Sequence, residues 1–534
     1  MTTWSPVRAR RALPAVLVAL ALGLAGCTTT APDRAGPPAT GDASPGTPSG
    51  SSPPTSPTPP VDATPPAFVT GPCPFRRDAT GGADITCGTL TVPQHRDRPD
   101  GPTLQLAVAI VRSANPAKAP DPVVYLEGGP GGSALAAVET WTTPPSPLLA
   151  DRDVILVDQR GTGYSEPRLT CDRETRSMPA DTDAEVARLF RACRDRLASS
   201  GVDLGAFSTA ESAADVDDLR RALGLAQVDL FGVSYGTRLA LRVLADHPDG
   251  IRSIVLDSVY PVGVRGYEEQ PTVLWQAMAN LFAGCRADPG CDAAYPDLEA
   301  RLTAAVERLD RSPAPVTVTD PDTGEPVDID LTGADVVDAL AEAMYLTAAI
   351  PELPKALDLV ARGDAGAGYD LLQTAGATTT DAGEPPDASR RPDDSDALFY
   401  AVECAEEAPA NDPDAIAERS ASIPPAFRED LVVLAEQQLE DCAAWAIPPR
   451  PSAETRSDVP ALLLAGTYDP VTAPAWAEQA ARGLSRARVV VVDGAGHAVI
   501  DAGPCPQQLV VSFLRAPTGD GGPTCSSPPR FVTS

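Results

Sequence analysis

The chain has 534 residues, 43% of them hydrophobic, enough for a large core and two or three domains. Asp and Glu outnumber Lys and Arg by 73 to 42, a formal net charge of −31 that excludes nucleic-acid binding, which needs a basic surface to displace counterions. Eleven cysteines and three histidines, with no C-x-x-C pair and no histidine cluster, give no metal site to expect.

Residues 1–27 read as an export signal. Arg8, Arg10 and Arg11 precede an apolar stretch, Leu13 to Leu24, that is too short to span a bilayer comfortably and leads into Ala25-Gly26-Cys27. The pattern resembles the bacterial lipoprotein signal, in which cleavage precedes the cysteine and lipid is attached to it. Cys27 is then the lipidation site and the only membrane contact. The protein is expected to be exported, either lipid-anchored on the outer side of the cell membrane or secreted; an ordinary secretory signal is the alternative. Residues 28–71, mostly Thr, Ser, Pro, Gly, Ala and Asp, form a disordered tether with too few large apolar residues to build a core. Setting Cys27 aside leaves ten cysteines, an even number in an exported chain, which points to structural disulfides. Their order suggests local pairs: Cys73 with Cys87, Cys171 with Cys193, Cys285 with Cys291, Cys404 with Cys442, and Cys505 with Cys525.

Beyond the tether, short apolar runs alternate with helical patterns. The strands are expected at Leu104 to Val111, Pro122 to Leu126, Asp153 to Val157, Val228 to Phe231 and Ser253 to Leu256, and the helices at Asp183 to Ala198, Glu211 to Leu223 and Thr237 to Ala245. This alternation makes a mostly parallel sheet with helices on both faces, here assigned to residues 72–262. The rhythm then stops. Residues 263–454 read as an inserted, mainly helical lid, with helices at Pro271 to Ala287, Leu298 to Leu309, Gly333 to Ala348 and Ile350 to Ala361. Residues 455–534 return to the sheet with strands at Ala461 to Ala465 and Arg488 to Val492.

The run Asp229-Leu230-Phe231-Gly232-Val233-Ser234-Tyr235-Gly236 enters a G-x-S-x-G from a strand and leaves it into a helix, the setting of a serine nucleophile. A hydroxyl needs a histidine to take its proton and a carboxylate to orient that histidine. His497, in the glycine loop after the last strand, is the candidate base; His95 and His247 read as surface turn residues. Asp469, three residues past Gly466 at the end of its strand, is the candidate acid. Ser234, Asp469 and His497 follow in the chain order of α/β-hydrolases. Gly128-Gly129-Pro130-Gly131-Gly132 offers backbone amides to an oxyanion; the donor is Gly129 or Gly131, Gly129 being favoured, together with the N–H of Tyr235.

With Asp158-Gln159-Arg160-Gly161-Thr162-Gly163-Tyr164-Ser165, these segments resemble the tripeptidyl aminopeptidase branch of the prolyl-iminopeptidase-like α/β-hydrolases. Glu127 departs from the histidine that prolyl iminopeptidases usually have before the glycines. The resemblance implies an α/β-hydrolase fold with a lid. It implies an acyl-enzyme peptidase without metal or organic cofactor, acting on peptides with a free N-terminus whose ammonium is held by acidic residues. Glu403, Glu406 and Glu407 are the candidates for that anchor, and a solvated acidic helix face is the other reading of the same residues. A carboxylesterase or lipase and a non-catalytic peptide-binding lipoprotein are the rival functions. The oligomeric state is left open.

Overall fold

A computed structural model describes residues 67–77, 80–171, 174, 183–320, 324–375, 394–519, 522–526 and 528–533. The signal segment, Cys27 and nearly all of the tether lie outside the described residues.

Nine strands form one sheet in the order β1-β2-β3-β5-β4-β6-β7-β10-β11. They are β1 (Ala67–Gly71), β2 (Ile85–Pro93), β3 (Thr103–Val111), β4 (Val123–Leu126), β5 (Val154–Val157), β6 (Val228–Val233), β7 (Ile251–Asp257), β10 (Ala461–Gly466) and β11 (Ala487–Val492). From β5 to β11 every pairing is parallel, whereas β1, β2 and β3 pair antiparallel, as do β3 and β5. The chain therefore has the mostly parallel sheet its alternating pattern implies. β1 and β2 are additions. β1 falls at the end of the stretch expected to be a tether; Phe68 lies directly over Gly88 of β2, where a side chain would leave it no room.

Every residue of β4, β5, β6 and β10 is buried. Successive side chains of a strand point to opposite faces, so the unbroken apolar runs feed two cores. Val124, Leu126, Leu230, Leu256 and Leu463 pack on one face with Leu239 and Val243 of the helix Tyr235–Asp246. Tyr125, Phe231, Val233, Val255 and Leu464 pack on the other with Leu509 and Phe513 of the helix Pro504–Arg515.

Between β7 and β10 the chain is mainly helical and carries a third core, in which Met278, Leu302, Leu340, Leu357 and Phe427 are buried together. It also contains a hairpin, β8 (Ala314–Thr319) with β9 (Pro326–Leu331), that helical reasoning missed. The helices Asp396–Glu406 and Pro425–Trp445 pack partly on the sheet's own core through Leu398, Tyr400, Val402 and Trp445. The helix expected to run to Ala348 stops at Tyr345, where Leu346 turns extended. The five disulfides join the cysteines that chain order pairs.

Candidate active site

Ser234 stands between β6 and the helix Tyr235–Asp246 at φ 56° and ψ −126°, a left-handed conformation that L residues avoid unless the surroundings enforce it. The surroundings do so through close backbone packing. A Cβ on Gly232 would run into the carbonyl of Gly236, and one on Gly236 into the carbonyl of Leu126. The Ser234 N–H donates to the Asp257 carbonyl at 2.9 Å, and its own carbonyl accepts from Thr237 Oγ1 at 2.6 Å. Ser234 is 9% exposed.

Asp469 lies past the end of β10, and both its carboxylate oxygens are 3.0 Å from Nδ1 of His497. Oδ1 also accepts the N–H groups of Val471 and Thr472 at 2.9 Å, and Oδ2 the Thr472 hydroxyl at 2.6 Å. Burial opposes the charge of Asp469, but His497 and these hydrogen bonds outweigh it and hold the carboxyl below its ordinary value. A carboxylate on Nδ1 leaves Nε2 as the ring's proton acceptor. Nε2 is buried without a hydrogen-bond partner, so the Ser234 hydroxyl is not bonded to the ring. Serine–histidine contacts commonly tighten only when substrate binds. The other histidines lie elsewhere: His95 pairs with Asp203 at 2.9 Å and His247 caps a helix end.

The glycine loop after β4 sits against Ser234. A Cβ on Gly128 would stand 2.9 Å from Cβ of Ser234. Gly129 and Gly131 have φ of 109° and 120°, a region open to glycine. Among the described residues, the N–H groups of Gly129, Gly131 and Tyr235 donate to no backbone carbonyl outside regular secondary structure. Asp158 fixes the loop's far side by accepting from Ser133 Oγ at 2.9 Å and Leu135 N at 3.0 Å; burial pushes its carboxyl up to about 6. Arg160 is buried in a two-pronged pair with Asp215, a structural role.

The three acidic candidates divide. Glu403 is buried, accepts from the Tyr260 and Tyr267 hydroxyls at 3.0 and 3.2 Å through Oε2, and leaves Oε1 without a partner. Glu406 accepts the Thr209 N–H at 2.8 Å through Oε1 and leaves a buried Oε2 without a partner. Glu407 is taken up internally: Oε2 accepts from Arg238 at 2.6 Å, and Oε1 from the Gly266 N–H at 2.6 Å and Asn411 Nδ2 at 3.2 Å. Arg238 lies one turn beyond Ser234 on the helix Tyr235–Asp246, so the cluster adjoins that strand-to-helix turn. Sequence reasoning passed over Tyr260 and Tyr267, which orient Glu403, and over Asp257 and Tyr345, which hold the loops of Ser234 and His497.

A family profile for the alpha/beta hydrolase fold matches residues 121–285, and one described as TAP-like protein matches residues 432–525. The chain carries an alpha/beta hydrolase domain and a TAP-like domain. The serine protease Hip1 of Mycobacterium tuberculosis is 27% identical over 464 residues, covering 80% of this chain and 84% of that one. A tripeptidyl aminopeptidase of Streptomyces coelicolor is 32% identical over 192 residues, 33% of this chain and 35% of that one. A probable proline iminopeptidase of the same species is 29% identical over 194 residues, covering 36% and 49%. The protein is thus a serine hydrolase similar to serine peptidases, and its five disulfides suit an extracellular or exported protein. Among the described residues of this hydrolase no helix is long and apolar enough to cross a membrane, and no cluster could hold a metal ion.

Proposed function

We propose that the protein is an exported serine exopeptidase that releases short peptides, tripeptides foremost, from free N-termini. The observation that carries this reading is the pair Glu403 and Glu406, each with a buried carboxylate oxygen lacking a partner. A bare carboxylate oxygen in a buried site is a strong acceptor for an ammonium. Both lie on the helix Asp396–Glu406, whose N-cap residue Ser395 donates its N–H to the Gly131 carbonyl at 2.9 Å. At a rise of about 1.5 Å per residue, Glu403 stands about 12 Å along the helix from that docked end. Three extended residues span about 10–11 Å, which suits an ammonium at the carboxylates and the third carbonyl at Ser234. The similarity to a tripeptidyl aminopeptidase supports the same length.

In the reaction, His497, oriented by Asp469, takes the Ser234 proton onto Nε2 as Oγ bonds to the scissile carbonyl carbon. The N–H groups of Gly129 and Tyr235 stabilise the oxyanion. His497 then passes the proton to the leaving amine, the C–N bond breaks, and water releases the acyl group by the same route. Residues 263–454 act as the lid that limits access, and the signal ending at Cys27 holds the protein by lipid on the outer side of the membrane.

The test compares wild type with Ser234→Ala on chromogenic aminoacyl, dipeptidyl and tripeptidyl amides, their N-acetylated forms, and simple esters. Release from free tripeptidyl amides, lost on acetylation and in the variant, is the expected result. Ester turnover without amide turnover would make the protein a carboxylesterase and overturn the proposal.

A further inference from the structure

The segment that ends the helix Gly333–Tyr345 is bonded to the loop of His497. The Tyr345 carbonyl accepts the His497 N–H at 3.0 Å. Its ring lies against the imidazole, with centroids 4.3 Å apart and planes inclined at 39°. Thr347 Oγ1 accepts the Gly496 N–H at 2.9 Å. A Cβ on Gly496 would stand 2.6 Å from the Met344 carbonyl oxygen and 2.9 Å from that of Tyr345, so the loop meets the helix end where it has no side chain. The last carbonyls of a helix lack partners within it and are available for such bonds.

We propose that Tyr345 is a positioning residue for His497: its carbonyl fixes the loop and its ring fixes the plane of the imidazole, so that the inserted helices complete the catalytic base. This rests on reading Ser234 as nucleophile and His497 as base. When the Ser234 proton moves to Nε2, the ring becomes a cation, and an aromatic face beside it attracts that charge. Among the described residues, the other charged groups that act on the pair are carboxylates: Asp469 past β10, Asp257 at the end of β7 and Asp501 after the histidine loop act on His497, while Glu127 of the glycine loop and Asp394 face Tyr345. None of them changes when only the ring is replaced.

The experiment follows turnover of a small chromogenic ester by the whole protein as wild type, Ser234→Ala, Tyr345→Phe and Tyr345→Leu. Tyr345→Phe keeps the ring face and should stay within about twofold of wild type. Tyr345→Leu should lose about tenfold in kcat with KM little changed, and its acid limb in kcat/KM should move down by about half to one pH unit. Tyr345→Met replaces it as the test variant if Tyr345→Leu melts early. Turnover that survives Ser234→Ala would overturn the reading of the site and the inference with it. Turnover that depends on Ser234 but is the same in the ringless variants as in Tyr345→Phe would overturn the inference alone.

Discussion

Asp257 ties Ser234 to the loop of His497: its carbonyl accepts the Ser234 N–H at 2.9 Å, and its carboxylate accepts the N–H groups of Val499 and Ile500 at 2.8 Å each. The neighbouring Ser258 hydroxyl accepts the N–H of Ala498 at 2.9 Å. Asp257→Ala strands two amides beside His497, at about 1–3 kcal/mol for each buried group left unpaired. We expect a loss of about 2–4 kcal/mol in urea unfolding and a fall in kcat that exceeds any rise in KM. A variant that melts early yet keeps its kcat would restrict Asp257 to stability.

Glu403 carries a pH dependence. Burial pushes its carboxyl up to about 7, against the pull of Arg238 and the two tyrosine hydroxyls. The folded chain thus keeps a proton that the unfolded chain releases near 4.5, so this stabilisation is full below about pH 4 and is lost as the pH climbs through about 7. An ammonium needs the ionised form. KM for substrates with a free N-terminus should fall as the pH rises through about 7 and increase again above about 8, where the α-amine loses its proton. N-acetylated substrates and Glu403→Gln should show no such change, and matching profiles for free and blocked substrates would remove Glu403 from recognition.

Arg238 and Glu407 form a buried pair, with the guanidinium also 3.8 Å from the centre of the Tyr260 ring. Removing one member strands the other's charge. Arg238→Met should destabilise by about 3–5 kcal/mol, and combining it with Glu407→Gln should restore most of the loss. A double variant as unstable as the single one would show that packing on Tyr260, and not charge pairing, is what Arg238 supplies.

Cys404 sits between Glu403 and Glu406 and is joined to Cys442 on the helix Pro425–Trp445, closing a loop with a sequence separation of 38. Opening a loop of that size by replacing both cysteines with serine should lower stability by up to about 4 kcal/mol. The anchor helix would be loosened more than the elbow. KM for free tripeptidyl amides should therefore rise while turnover of a small ester holds, and equal losses on both would separate the disulfide from recognition.

Most of the sheet was legible because buried parallel strands are unbroken apolar runs that end in glycine or a carboxylate. Ser234, Asp469 and His497 each sit where such a run stops, and a glycine marks each stop. The same strand-end rule would have picked out Asp257, which was overlooked because no glycine follows it. The β8–β9 hairpin also left a signal, the alternation Val316-Thr317-Val318-Thr319 before the turn cluster Asp320 to Gly324. Tyr345 left none. Its helix is an ordinary amphipathic one, and its contact with His497 arises from long-range docking that no local pattern records. Glu403 and Glu406 stood out as acidic, but their bare oxygens and the internal pairing of Glu407 depend on Tyr260, Thr209 and Arg238, which lie far from them in sequence.

The contacts that shape the elbow and its loops are made largely by main-chain atoms: Gly236 beneath the Leu126 carbonyl, Gly131 beneath that of Ser395, and Gly496 beneath those of Met344 and Tyr345. A carbonyl is present whatever side chain its residue bears. Apart from Tyr345, whose ring faces His497, the partner residues can therefore vary without disturbing these contacts, while the glycines cannot acquire even one methyl group. The hereditary record of this site is a set of vacancies, places where an atom is forbidden, and divergent relatives should be recognised by those vacancies before any shared side chain outside the reacting groups.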